Sequence, residues 1–168
     1  MNYQKYTKID EIPFDFARRR LSVIVSDGQK TQMITKGAVE EILGISTMVD
    51  YQGNVSPITN AIKENIKKIT KDLNKQGLRV VAVCQKNNLE KTSEFTVSDE
   101  KNMVLIGFIG FLDPPKESAK SSIEKLNKNG IRVIVLTGDN VEVTKCICDK
   151  VGIKSPQIVI GSQIDKLQ

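Results

Sequence analysis

Histidine and tryptophan are absent from this 168-residue chain, and cysteine is scarce. Without histidine, a zinc site would have to be built from cysteine and carboxylate alone, and Cys84, Cys146 and Cys148 form no Cys-x-x-Cys pair. Metal-centre catalysis is set aside on that ground. An odd number of cysteines, in a chain whose first ten residues are polar and lack the apolar core of a signal peptide, predicts reduced thiols and a cytosolic setting. Long apolar runs are missing too. The longest, Met103 to Leu112, is ten residues and contains Gly107 and Gly110, against the ~20 that a membrane-crossing helix needs. Aromatic residues make up only 5% of the chain.

What is present is charge and a moderate apolar fraction. With 39% hydrophobic and 27% charged residues, the chain is long enough for one compact domain, or for one domain and part of a second. A net charge of +5 and a pI near 9.1 fit an anionic partner, nucleic acid or a phosphorylated small molecule. Much of the excess is lysine at 63, 67, 68 and 71 on an expected helix, a pattern that usually marks a solvated face.

Two architectures follow one another along the chain. Leu21 to Ser26 alternates, Asp27-Gly28 supplies a turn, and Thr31 to Lys36 continues extended, which predicts a β-hairpin. A short helix is expected at Val39 to Leu43, and a second hairpin around Tyr51-Gln52-Gly53-Asn54. Ile58, Ile62, Ile66, Ile69 and Leu73 recur at helical spacing, with Gly77 where a C-cap belongs. Strands are expected at Leu78 to Cys84 and Met103 to Leu112, with the polar stretch Gln85 to Lys101 as a loop between them. This half predicts an α+β layer with a largely antiparallel sheet. After Asp113-Pro114-Pro115 the pattern becomes helix (Lys116 to Asn129), strand (Ile131 to Leu136), helix (Val141 to Val151) and strand (Gln157 to Ile160), a parallel, doubly wound arrangement. Adjacent prolines stiffen the backbone, so the boundary is placed there, dividing the chain into 1–112 and 113–168.

Several segments carry possible chemistry. Val133 to Leu136 is an apolar strand pattern ending in Thr137-Gly138-Asp139-Asn140, the place where an α/β sheet binds phosphate: a hydroxyl, a glycine allowing close approach, and a helix N-terminus. A plain turn with Asp139 or Asn140 as N-cap would look the same. Lys36-Gly37-Ala38 offers a cation and a glycine leaving room for a planar ligand, or an ordinary strand-to-helix turn. Phe14 can be a core residue or a stacking platform. Arg18-Arg19-Arg20 admits both a solvated edge and a phosphate clamp.

Their order is more telling than any one of them. Asp10-Glu11-Ile12-Pro13-Phe14-Asp15-Phe16 with the arginines before Leu21-Ser22, then Lys36-Gly37-Ala38, Gly77-Leu78-Arg79-Val80-Val81-Ala82, Asp113-Pro114-Pro115-Lys116 and Thr137-Gly138-Asp139-Asn140, resembles the P-type ATPases over nearly the whole chain. The wording is most similar to the bacterial magnesium-transporting group, notably in the three arginines and in Leu73 to Arg79.

The resemblance implies a nucleotide-binding domain over 1–112 that lacks its N-terminal portion, followed by part of a haloacid-dehalogenase-like, Rossmannoid phosphorylation domain over 113–168. It implies that Phe14 stacks on adenine, that Arg19 lies near the nucleotide, that Lys36 and Gly37 line the adenine pocket, and that Arg79 reaches the phosphates. Asp113 corresponds to a hinge aspartate, and Thr137, Gly138 and Asp139 to the loop holding the transferred phosphoryl group. ATP or ADP is the implied ligand, with magnesium a cofactor of the full-length parent and no metal held by this segment. The implied partners are the actuator, phosphorylation and transmembrane parts of a pump on the cytoplasmic side of the membrane. The family's phosphate-accepting Asp-Lys-Thr-Gly-Thr occurs nowhere in the chain: Asp149-Lys150 and Asp165-Lys166 are followed by Val151 and Leu167. The segment is therefore expected to bind nucleotide without catalysing the parent's reaction. A stand-alone phosphatase of the haloacid-dehalogenase kind would also need such an aspartate. A nucleic-acid module would interleave aromatics with its lysines, and here they are mostly apart.

Overall fold

A computed structural model describes residues 6–89, 94–154 and 157–164. The chain divides into two compact units, one of Met1–Thr70 with Val80–Gly110 and one of Lys71–Arg79 with Phe111–Gln168.

The first unit is built on a sheet of seven strands: β1 (Thr7–Asp15), β2 (Arg20–Ser26), β3 (Thr31–Gly37), β4 (Ser46–Tyr51), β5 (Asn54–Pro57), β6 (Leu78–Asn87) and β7 (Met103–Leu112), in the spatial order β1-β2-β3-β6-β7-β4-β5, the first two residues of β6 and the last two of β7 being counted with the second unit. β1–β2, β2–β3, β3–β6 and β4–β5 are antiparallel, while β4 and β7 run parallel. The expected hairpins are both present. Between β2 and β3, Asp27 accepts the Gln29 and Lys30 amides at 3.0 and 2.8 Å, and Gly28 adopts φ +91°. Between β4 and β5 only Gln52 and Gly53 intervene, both with positive φ, the mirror-image turn whose twist suits a hairpin.

Alternation decides which face of the sheet is covered. Ser22 and Ile24, Met33 and Thr35, and Ala82 and Cys84 are fully buried at alternate positions, and they pack with Ile42, Met103 and Leu105. Each large aliphatic side chain so removed from water contributes roughly 1.5–3 kcal/mol. Two helices complete the layer, α1 (Val39–Ile45) and α2 (Asn60–Lys75). On α2 the buried row passes through Ile66 to Thr70, leaving Ile69 half-exposed. The strict i+4 step from Ile66 faces the core, and the i+3 step to Ile69 falls at its edge.

The stretch Gln85 to Lys101, expected as a loop, is more ordered than that. β6 continues to Asn87, Phe95 joins the core, and a 3₁₀ turn at Val97–Asp99 is closed by reciprocal bonds between Thr96 and Asp99. Residues 90–93 of that stretch lie outside the described residues.

The second unit contains the end of α2, where Gly77 takes φ +86° and its N–H meets the Asn74 carbonyl at 2.9 Å, as a C-cap glycine should. It also holds α3 (Ser118–Lys128), α4 (Val141–Lys150) and the short α5 (Gly161–Ile164). α3 and α4 end alike, at Gly130 and Gly152 with positive φ, and the Ile131 and Ile153 amides reach back to Leu126 and Cys148. The strands expected at Ile131 to Leu136 and Gln157 to Ile160 do not form a ladder. Both segments lack strand hydrogen bonding, and Ile134 and Leu136 are exposed. Two apolar segments alone make a poor parallel sheet, because such strands rely on neighbours at their edges and helices on both faces. Both instead line one cavity of about 800 Å³ beside α4.

Candidate functional site

In the first unit, the residues singled out by sequence gather at one end of three adjacent strands. Register aligns Asp15 of β1 with Arg20 of β2, Arg20 with Gly37 of β3, and Gly37 with Ala82 of β6. Phe14, Arg19 and Lys36 are each one residue from a member of that row. Two inter-strand spacings span about 10 Å, so an aromatic ring, a guanidinium and an ammonium group come from one small corner.

Phe14 is half-exposed and meets Phe16 edge to face, with ring centroids 5.2 Å apart. It is not a core residue. Lys36 is exposed and forms no ion pair among the described residues. The three arginines differ from one another. Arg18 donates to Glu100 at 2.9 Å and to the Pro13 carbonyl at 2.9 Å, and Arg20 donates to the same Glu100 oxygen at 2.7 Å. Arg19 has left-handed backbone, φ +47°, and its half-exposed guanidinium donates to Glu41 at 2.7 Å. That hydrogen bond raises its pKa further. Two of the arginines thus turn inward, and the middle one faces out.

Gly37 departs from the ligand-room explanation. A Cβ there would lie 2.5 Å from the Arg20 Cβ and 2.6 Å from the Arg19 carbonyl oxygen. The space that a side chain would take is filled by the chain itself, so strand packing already demands glycine.

In the second unit, Arg79 brings two predicted residues together. Its guanidinium is 3.0 Å from an Asp139 oxygen and 4.0 Å from an Asp113 oxygen, all three side chains being well exposed. An exposed pair of this kind stabilises by about 0–1 kcal/mol, so it orients the side chain more than it supports the fold. The Thr137 hydroxyl accepts the Asp139 N–H at 3.0 Å. Asn140, not Asp139, caps α4, accepting the Glu142 N–H at 2.8 Å. Asp139 is left free to meet Arg79. A side chain at Gly138 would meet nothing within 4 Å, the opposite of Gly37.

Two carboxylates, Glu100 and Glu41, were not picked out from the sequence, and Asp10 entered only as the first residue of the motif that runs to Phe16. Glu100, its side chain fully buried, accepts from Arg18, Arg20 and the Ser22 hydroxyl. Glu41 holds Arg19. Asp10 accepts the backbone N–H of Phe95 at 2.9 Å, which depresses its pKa. A glutamate inside a polar stretch carries no periodic signal, so pairing with an arginine run some 80 residues earlier could not be read from spacing.

The family model for the cytoplasmic domain N of P-type ATPases matches residues 1–118, and the chain belongs to that family. Over 97% of its length it is 42% identical to the magnesium-transporting ATPase, P-type 1, of Escherichia coli K12, and to that of Salmonella typhimurium. It is 30% identical, over 98% of its length, to a calcium-transporting ATPase of Listeria monocytogenes. The chain spans about a fifth of the length of these relatives, 18% of the first two and 19% of the third. No helix among the described residues is long and apolar enough to cross a membrane.

Proposed function

We propose that this chain is the nucleotide-holding segment of a cation pump, taking ATP or ADP at the corner formed by Phe14, Arg19, Lys36 and Gly37. The observation that carries the reading is that all four lie within one residue of a single cross-strand row, Asp15–Arg20–Gly37. An exposed ring gives adenine a face to stack on without regard to phosphate state, and Lys36, which has no ion pair among the described residues, supplies positive charge together with the outward Arg19, itself paired with Glu41. Gly37 contributes by letting β2 and β3 close at this end.

In the second group, Arg79, Thr137, Gly138 and Asp139 are assigned to phosphate handling and Asp113 to the hinge. Open space at Gly138 and an N-terminus capped by Asn140 leave the loop approachable by a phosphoryl group. We place the boundary between nucleotide and phosphorylation domains at residue 112. The passage from one compact unit to the other between Gly110 and Phe111 supports that choice.

The parent would transfer the γ-phosphoryl group of ATP to an aspartate, hydrolyse the aspartyl phosphate and couple the cycle to movement of a cation on the cytoplasmic face of a membrane. The identity with magnesium-transporting relatives favours magnesium as that cation. The present chain has no Asp-Lys-Thr-Gly-Thr acceptor, so it binds nucleotide without turning it over, and with little need for magnesium.

Titrating ATP into the isotope-labelled chain while following amide resonances tests the assignment. Saturable shifts at Phe14, Lys36 and Arg79 are expected. Silence of the Phe14 and Lys36 neighbourhoods at millimolar nucleotide would remove the basis of the site.

A further inference from the structure

Glu100 stands out as a buried charge that the nucleotide reading does not use. Its side chain has no exposed surface, yet one carboxylate oxygen accepts both Arg18 Nη1 at 2.9 Å and Arg20 Nε at 2.7 Å. The other oxygen accepts the Ser22 hydroxyl at 2.6 Å, and Ser22 in turn shares a 2.7 Å bond with Thr35. Burying such a group generally costs stability compared with an apolar core, and the cost is offset only when every bond is made. What the arrangement provides is fixed geometry, and the two arginines it holds are the immediate neighbours of the corner.

Arg18 passes the constraint to one side. Its second guanidinium nitrogen donates to the carbonyl of Pro13, the residue before Phe14, and its own N–H is held by Asp15 at 2.8 Å. Arg20 passes it to the other side. It follows Arg19 directly, pairs across the sheet with Gly37, and its Cβ occupies the space against which that glycine packs. The Arg19 carbonyl also accepts the Ala38 N–H at 3.0 Å. A single carboxylate thus fixes the backbone on both sides of the β1–β2 connection, where φ at Arg19 is +47°.

We propose that Glu100 is a positioning residue for the nucleotide corner, holding Phe14 in place through Arg18 and the Arg19 backbone in place through Arg20, while Glu41 holds the Arg19 guanidinium. It touches no ligand. The inference rests on the corner being the nucleotide site and adds which residue keeps it in shape.

Glu100→Gln keeps the shape but removes the charge that both arginines share. At a temperature where the variant is folded by circular dichroism, ATP is expected to bind about tenfold more weakly, as suits loss of charge-assisted hydrogen bonds. ATP-induced amide shifts at Phe14 and Arg19 should shrink while those at Lys36 persist, and Glu100→Asp should recover part of the affinity. A purely structural role would lower the melting temperature and leave the dissociation constant of the folded protein unchanged, and that result would overturn the inference. Arg18→Ala decides the matter if Glu100→Gln does not fold, because Glu100 retains Arg20 and Ser22 there. Its effect on ATP binding should vanish in the Phe14→Ala background, and simple additivity of the two would equally overturn the proposal. If the unmodified chain does not respond to ATP, the nucleotide reading falls and this inference with it. If the unmodified chain responds and Glu100→Gln matches it, only this inference falls.

Discussion

Glu100 and Arg18 are 82 residues apart in the chain and 2.9 Å apart in space, and the glutamate side chain is fully buried. That contact turns a polar stretch into a brace for the β1–β2 connection. It also divides the arginine run by role, with Arg18 and Arg20 held inside and Arg19 at the surface on Glu41.

Phe14→Ala should weaken ATP binding by about 1–3 kcal/mol, the range measured for bases stacked on aromatic side chains. The ring is half-exposed and lies outside the buried core, so thermal stability should change little. Isothermal titration read beside a melting curve separates the two. A large fall in melting temperature with unchanged affinity would mean that Phe14 is a packing residue.

The two site glycines should respond in opposite ways to alanine. At Gly37 the new methyl would collide with Arg20 and the Arg19 carbonyl, and overpacking of this kind costs about 1–3 kcal/mol. At Gly138 nothing lies within 4 Å, so Gly138→Ala should stay within about 0.5 kcal/mol of the parent chain. Urea denaturation of the pair checks both, and equal midpoints would contradict the packing at Gly37.

Acid should release the tether between Asp10 and Phe95. The Asp10 carboxylate accepts the Phe95 and Glu11 amides, and these bonds hold its pKa below the ordinary value of 3.8. Because the folded pKa is depressed, the stabilisation is present above about pH 4 and is lost as pH falls through the lower, folded value. Hydrogen exchange at Phe95 should accelerate over that acid range in the native chain and be fast throughout in Asp10→Ala, which has no side-chain acceptor.

The thiols should differ in reactivity. Burial pushes Cys84 up to about 11, and burial also raises Cys148, whereas Cys146 is only partly covered. With a disulfide reagent at pH 8, Cys146 should react first and Cys84 only on unfolding. The raised pKa of Cys84 also sets a sign for stability. Between about pH 9 and 11 the unfolded thiol ionises while the folded one keeps its proton, so stability should fall across that interval. Cys84→Ala should flatten that part of the curve.

Much of the first unit was legible before any coordinates. Hairpin turns at Asp27-Gly28 and Gln52-Gly53, helix α1 and the Gly77 cap are local, dictated by backbone conformations that only a few residues adopt without strain. Phe14, Arg19 and Lys36 were legible as candidates because residue type and order mark them. Alternation could not show that register brings them within a residue of the same row, because register is a property of pairs of strands.

In the second unit the same local signals gave the helices but not the strands. α3 and α4 begin and end within a residue or two of where caps and glycines put them. Ile131 to Leu136 has the composition of a buried parallel strand and is found exposed and unpaired, since composition states what a strand could bury and not whether neighbours exist to bury it.

By itself, then, the sequence determined the turns, the caps, the apolar faces and the residue types found at the proposed nucleotide corner, because these depend on neighbours within a few residues. Tertiary structure alone decided that Glu100 gathers Arg18, Arg20 and Ser22, that Gly37 is required by Arg19 and Arg20, and that Arg79 meets Asp139 and Asp113. Those contacts join groups 17 to 82 residues apart along the chain. Side-chain hydrogen bonds reach only about 3 Å, and they form where the sheet and its connections have already brought the partners together.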